Sequence, residues 1–524
     1  MLKIFAPSSA FISKLRNAGV NSSRTVVGLK PLLSNVSFFS SSPRMEDAAS
    51  EQETKRSSYM YKKKEPKTQK YKKGVFLTRV VVDSFIERRM KAANVAVMSI
   101  FLTRSASRSL ETSVSTFLLG YFPLIASKLE ALSSEPWTFW QIAAAMSGLK
   151  CMRETEDGID RIVAVMAKIT TDTLSRGDVA EVEDIVLMMT GIRGIACRGD
   201  EGRKILGALT TVVKTCPHVF TATEVFLCIR GIQGKSSDVP EALTLLAALT
   251  DRLLTLDAIL STQEIGVIVF GMYRMKSTSP EVNAFLAACI AQGEKSEGGF
   301  NARAQGDILF GMQNMSSDSP GVQQMLKLLL SKSVFTPAEY TPQASSNAMC
   351  GLRGLSSDSP DVRALLLSLS AMVAETEISF HPKAISTALQ GFASMKADCE
   401  EVLAVMRALT LHMNKCKGSM DTVSVGNALN GLRNMTSDVE EVRNILTSMS
   451  RYVLESKGVL SAEHVERALF GLQGMDNEVP EVHALLNAML TKARSTEKQL
   501  DDGLEKIVSP QVLALIAALE PVSR

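Results

Sequence analysis

From about residue 140 onward, one arrangement of apolar and polar positions recurs along the chain. A glycine followed by an apolar residue stands at Gly191, Gly231, Gly271, Gly311, Gly351, Gly391, Gly431 and Gly471, 40 residues apart each time, and a further copy at Gly148 precedes them by 43. Eight units without insertion or deletion predict that each packs on the next in one geometry, because a change of length would break the stack. Numbered from the glycine, apolar residues recur at −6, −3, −2, +1 and +4, as in Val465, Ala468, Leu469, Leu472 and Met475. That three-and-four spacing is one buried face of an α-helix. Small residues at −5 (Gly266, Gly306, Ser346, Ser386, Gly426) predict that first helices of adjacent units approach closely.

Ten residues before each glycine stand Thr221, Ser261, Asn301, Thr341, His381, Asp421 and Ser461, all but His381 favoured N-cap types. Phe220, Leu260, Phe300, Tyr340, Phe380, Met420 and Leu460 precede them in the hydrophobic-staple position, and Thr221/Glu224 and Ser261/Glu264 read as capping boxes. A turn such as Ser316-Ser317-Asp318-Ser319-Pro320 leads into a second helix. Asp238, Asp318, Asp358, Asp398 and Asp438 are placed to cap it, with Pro240, Pro320 and Pro360 in its first turn. Two antiparallel helices of about 12 to 15 residues cannot bury their apolar faces alone, but stacked units make a continuous core. The expected fold is all-α: an α-solenoid of about nine 40-residue helix-turn-helix repeats over 136–495, after an N-terminal helical cap at 76–135 and before a C-terminal capping helix at 496–524.

Composition agrees with helices. Only 6% of the 524 residues are aromatic, 17 are Pro, and 45% are hydrophobic. The eight cysteines form no C-x-x-C and most sit among apolar neighbours, so neither a disulfide framework nor a zinc ribbon is encoded. No stretch reaches the length of apolar residues that a membrane span needs.

Charge changes the picture. The chain carries 58 basic and 55 acidic residues, a net +3. Residues 1–108 hold 21 basic against 7 acidic, net +14, and the remainder 37 against 48, net −11. Residues 1–45 contain no acid, six basic residues and ten serines, the composition of an organelle transit peptide. The expected destination is the mitochondrial matrix, with the plastid as the alternative. Residues 46–75 form a basic arm in which Lys62, Lys63, Lys64, Lys67, Lys70, Lys72 and Lys73 are interleaved with tyrosines, among them Tyr71. Such a run does not fold alone. It is either a nucleic-acid-binding arm, with lysines on phosphates and tyrosines stacked on bases, or a solubilising linker.

No catalytic, metal or cofactor constellation stands out. Gly234-Lys235-Ser236 ends like a phosphate-binding loop, but the first Gly of that motif is missing and the segment follows a helix rather than a strand. The five histidines are scattered, with no H-E-x-x-H. The expectation is therefore a protein that acts by binding and uses neither a cofactor nor a small-molecule substrate.

Candidate binding residues are those of the first helix that face solvent by helical geometry and change between units, at −4, −1, +2 and +3. They run through Asp307, Phe310, Gln313 and Asn314, then Thr387 and Ser394, and include Asn347, Arg353, Gln390, Asn427, Asn430, Arg433, Arg467 and Gln473 as the strongest candidates. Amides and Arg meet base edges, and aromatics stack on them. Thr341 to Leu352, Asp421 to Leu432 and Ser461 to Leu472 resemble the first helix of the octotricopeptide and heptatricopeptide repeats, over residues of about 150–490. Asn347 and Asn427 match a recurring Asn of that helix, while Asp307, Thr387 and Arg467 take its place in other units. The segment after Leu490 is too short for the RNA-binding domain abundant in apicomplexans that often closes those families. The resemblance implies a helical-pair array of an organelle that binds RNA and acts in its processing, stability or translation. The alternatives are a protein scaffold, such as a structural subunit of an organellar ribosome or other complex, and a regulator of the HEAT or armadillo type.

Overall fold

The computed structural model describes residues 122–150, 158–333, 340–458 and 460–497. The leader, the basic arm with its seven candidate lysines and Tyr71, residues 76–121 and nearly all of the expected closing helix lie outside the described residues. Nineteen α-helices and no β-strand occur among the described residues. A single helix, α1 (Phe122–Ala131), precedes nine pairs. These are α2 (Phe139–Ser147) with α3 (Ile159–Ser175), α4 (Val182–Ile192) with α5 (Asp200–Thr215), and α6 (Ala222–Gly231) with α7 (Pro240–Leu254). Next come α8 (Thr262–Phe270) with α9 (Pro280–Lys295), α10 (Ala302–Gly311) with α11 (Pro320–Lys332), and α12 (Pro342–Gly351) with α13 (Pro360–Glu375). Last are α14 (Pro382–Leu389) with α15 (Glu400–Lys415), α16 (Thr422–Asn430) with α17 (Glu440–Leu454), and α18 (Ala462–Leu472) with α19 (Pro480–Glu497).

Helices two positions apart in the chain form the main packing contacts. First helices therefore stack on first helices and second on second, giving the two layers of an α-solenoid, and α1 packs on α3 as second helices pack on one another. One continuous apolar core runs between the layers, from Phe122 to Ala493.

The repeated glycine explains the 40-residue register. A Cβ on Gly311 would overlap the backbone carbonyl of Val269, two residues before the preceding unit's glycine. Gly191, Gly351, Gly391, Gly431 and Gly471 meet the equivalent carbonyls of Met146, Leu309, Met349, Leu389 and Leu429 in the same way. The small residues at −5 serve the other side of the helix. A Cβ on Gly306 would lie 2.8 Å from the Ala344 carbonyl, and Ser386 Oγ donates to the Ser424 carbonyl at 2.7 Å.

The N-caps stand where the sequence puts them. The Thr221/Glu224 and Ser261/Glu264 capping boxes form, Asn301, Thr341 and Asp421 each accept from the backbone three residues on, and His381 caps as well, its Nδ1 accepting from the Lys383 N–H at 3.3 Å. The staple residues are buried, Leu260, Phe300 and Tyr340 at 0% exposure.

Two expectations are corrected. First helices have 8 to 11 residues rather than 12 to 15. They end beside the glycine, a poor helix former, and positions +1 to +4 continue as turns or as the 3-10 segments Leu352–Gly354 and Gln390–Ser394 while +1 stays buried. The aspartates at +7 do not cap the second helices, whose N-caps are the following residues, such as Val239, Ser319 and Ser359, without a side-chain capping bond. Asp238 and Asp358 instead accept from Lys276 and Lys396 of the next unit, at 2.7 and 2.8 Å.

Adjacent units are also joined at the far end. The orphan carbonyls at the end of several second helices receive a side chain from the next: Arg252 reaches Val213 and Cys216, Lys332 reaches Gly293, Glu294 and Ser296, and Lys492 reaches Ser456. A cation at a helix C-terminus also meets the negative end of its dipole. Among the described residues seven cysteines are buried and form no disulfide, and burial pushes the thiols of Cys228 and Cys289 up. No described helix is long and apolar enough to cross a membrane.

The glycine ladder gives a direct test. At Gly271 the approach is looser: the nearest atom of the preceding unit would be Gln233 Cα at 3.5 Å. Gly311→Ala should therefore destabilise by about 3 kcal/mol through overpacking, and Gly271→Ala by well under about 1.5 kcal/mol, measured by thermal and urea unfolding. Equal losses at the two sites would contradict the register argument.

Candidate nucleic-acid interface

Because the first helices stack side by side, positions −4, −1, +2 and +3 of successive units form one stripe on the outer face of that layer. In the eight units from Gly191 to Gly471 this stripe holds six arginines (Arg193, Arg230, Arg274, Arg353, Arg433, Arg467) and one carboxylate, Asp307. Acids of the array gather instead at +7 in the turns (Asp238, Asp318, Asp358, Asp398, Asp438) and at +10 in the second helices (Glu241, Glu281, Asp361, Glu401, Glu441, Glu481). The charges are segregated. Burial raises the Asp307 carboxyl above its usual range, opposed by Arg303. The Arg433 guanidinium is lowered first by burial and then by Arg353, a like charge. Among the described residues, Arg353 and Arg433 form no ion pair.

The stripe is more enclosed than helical geometry alone suggests. Asn347, Arg353, Gln390, Asn427, Asn430, Arg433 and Arg467 are half-buried, Gln473 is exposed, and Gln313 and Cys350 are buried. Close packing at the glycines brings side chains of neighbouring units together and ties several of them up. Arg467 Nη1 donates to Asn427 Oδ1 at 2.8 Å across one unit and also pairs with Glu463. Asn347 Oδ1 accepts from Gln343 Nε2 at 2.7 Å, and Gln390 Nε2 donates to the Ser386 carbonyl at 3.3 Å. Position +3 runs a ladder of its own: Asn314, Ser394 and Asn434 donate to the +2 carbonyls of the preceding units, Tyr273, Arg353 and Ala393, at 2.7, 2.7 and 2.9 Å. Burial pushes the Cys350 thiol up to about 11, opposed by Arg353, so it is a packed neutral group at pH 7.

Sequence reading missed the N-terminal half of the stripe. Arg193, Arg230, Tyr273 and Arg274 occupy the same −1, +2 and +3 slots as the later candidates, and extending those slots back through the earlier units would have found them. Phe270 stacks on Phe310 with centroids 4.9 Å apart and planes at 17°, and Tyr273 lies 5.9 Å from Phe310. These three half-buried rings form an aromatic platform among the arginines.

Lys235 sits elsewhere. It fills the +4 core slot that Met275, Met315, Met395 and Met435 fill in other units, is fully buried, and donates to the carbonyls of Ile192 and Ile195 at 2.8 and 2.6 Å. Its amine thus closes the C-terminal end of the preceding first helix, and the phosphate-loop resemblance has a structural cause. Among the described residues no group of three or more His, Cys, Asp or Glu is placed to hold a metal ion. The chain matches no family model and no curated protein.

The Lys235 slot predicts an asymmetry. Lys235→Ala opens a cavity in this fully buried slot and should cost about 3 kcal/mol. Lys235→Met, the residue of the equivalent slots, should cost about 1 kcal/mol or less, since an apolar side chain of similar volume keeps the slot filled. Urea unfolding of the two variants measures the difference, and a Met variant as damaged as the Ala variant would contradict it.

Proposed function

We propose that the protein is an organellar RNA-associated helical-repeat protein that acts by binding, without catalysis, in RNA processing, stability or translation. The observation that carries this reading is the charge of the first-helix stripe, six arginines against Asp307 in a chain whose residues beyond 108 sum to −11. Arginines neutralise phosphates with release of counterions, and aromatic faces stack on unpaired bases without regard to sequence. Asn314, Asn427 and Asn434 already bond between units. The reading therefore favours phosphate neutralisation and stacking over a code of one unit per base. The resemblance to the octotricopeptide and heptatricopeptide repeats supports it, as do the lysine-tyrosine arm from Lys62 to Lys73 and the acid-free leader, which fits delivery to the mitochondrial matrix.

A second reading, a protein scaffold or structural subunit of an organellar complex, draws on a different surface. Val179, Val219 and Ile259 stand at −12 in three consecutive units, 57%, 87% and 51% exposed, at the entrances to α4, α6 and α8. A complex that survives ribonuclease and is lost with Val219→Asp would favour it.

Fluorescence anisotropy of single-stranded RNA against rising salt tests the first reading. Arg353→Ala/Arg433→Ala should weaken binding about tenfold and lower the slope of log affinity against log salt by about one to two. Unchanged affinity and slope would remove the array from RNA binding and leave the scaffold reading.

A further inference from the structure

The turn edge of the array is acidic where +7 is Asp238, Asp318, Asp358, Asp398 or Asp438, and the units on either side of Asp238 break that row with Arg198 and Thr278. At the break lies a cavity of about 420 Å³ whose lining includes Arg198, Asp238, Arg274, Lys276, Thr278 and Asn314, drawn from four successive units. Three cations face one carboxylate there, and that carboxylate is already engaged. Asp238 accepts from Lys276 Nζ at 2.7 Å and from Ser236 Oγ at 2.9 Å, which hold it below the usual carboxylate range. The lining thus keeps a net positive charge, with hydroxyl and amide groups beside it.

Arg274 joins this cavity to the stripe. Its guanidinium lies 5.9 Å from the Tyr273 ring centroid, and Tyr273 adjoins the stacked pair Phe270 and Phe310. A cationic pocket and an aromatic platform therefore stand on adjacent residues, the two surfaces that a phosphate and its attached base require. Three units on, the fold supplies an internal control. Lys396 and Asp358 repeat the Lys276–Asp238 pair, Nζ to Oδ2 at 2.8 Å, but Asp318, Asp398 and Ser394 stand where Arg198, Thr278 and Arg274 stand here. The same turn in acidic surroundings offers no anion a net attraction.

We propose that this cavity is a phosphate subsite, and that Phe270, Tyr273 and Phe310 receive the base attached to the bound phosphate. The proposal rests on the RNA reading above and gives it a place. A strand phosphate and a free nucleotide present the same chemistry, so both are probed. The full chain carries Lys→Ala at 62, 63, 64, 67, 70, 72 and 73, so that affinity reports the array. It is titrated with a labelled single-stranded RNA of about 12 nucleotides and, separately, with uridine monophosphate.

Arg198→Ala/Arg274→Ala should raise the strand Kd about tenfold and reduce the salt slope by about one to two. Phe310→Ala should raise Kd several-fold with the slope unchanged, and Lys396→Ala should change neither. Saturable binding of uridine monophosphate that is lost in Arg198→Ala/Arg274→Ala also supports the pocket and makes a free nucleotide its ligand. Strand binding that survives Arg198→Ala/Arg274→Ala, or falls equally with Lys396→Ala, overturns the pocket while leaving the RNA reading in place. A parent chain that binds neither probe overturns both.

Discussion

The contact on which this structure depends is the approach of one first helix to the next at a single glycine. With the carbonyl of Val269 where a Cβ of Gly311 would have to stand, the two helices can lie in one relative position only. The same contact recurs at Gly191, Gly351, Gly391, Gly431 and Gly471, and a fixed contact repeated along a chain demands a fixed repeat length. The remaining inter-unit bonds follow from it: the +3 side chains reach the preceding +2 carbonyls, Ser277 Oγ and Ser317 Oγ accept from the next unit's turn at 2.9 and 3.2 Å, and Arg252, Lys332 and Lys492 close the second helices behind them. Each is satisfied because the register is already set.

The same register sorts the charges. Side chains at −4, −1, +2 and +3 must share one face of the first-helix layer, while +7 and +10 fall in the turn and at the start of the second helix. An array that is acidic as a whole therefore carries an arginine-rich stripe, with its carboxylates displaced to an edge where Lys276 and Lys396 partly neutralise them. Enclosure sharpens the effect: the Arg433 guanidinium is lowered by burial and by Arg353, the situation that a bound anion relieves.

Most of the fold was legible in the sequence because its determinants are local. N-caps at −10, staple residues at −11 and apolar spacing within ten residues identify the first helix without reference to the rest of the chain. Helix length was not legible, since it is set by the neighbouring unit pressing on the glycine. Nor were the partners of Asp238 and Asp358, which lie 38 residues away. Lys235 shows the same limit: its sequence neighbours imitate a phosphate loop, and only the carbonyls of Ile192 and Ile195 give its role. For the candidate interface, the sequence supplied the slots of the first helix but neither their enclosure nor the gathering of Phe270, Tyr273, Phe310 and Arg274 at one place. Those depend on stacking between units, which no single unit encodes.

The central claim is that the first-helix stripe, and not the N-terminal arm alone, touches RNA. Photo-crosslinking of the whole protein to RNA in isolated organelles, with adducts mapped by mass spectrometry, tests it most directly. Adducts on first-helix peptides that carry the −4, −1, +2 and +3 residues, persisting when residues 55–73 are removed, are the predicted result. Adducts confined to residues 55–73, with none on the first helices, would contradict it.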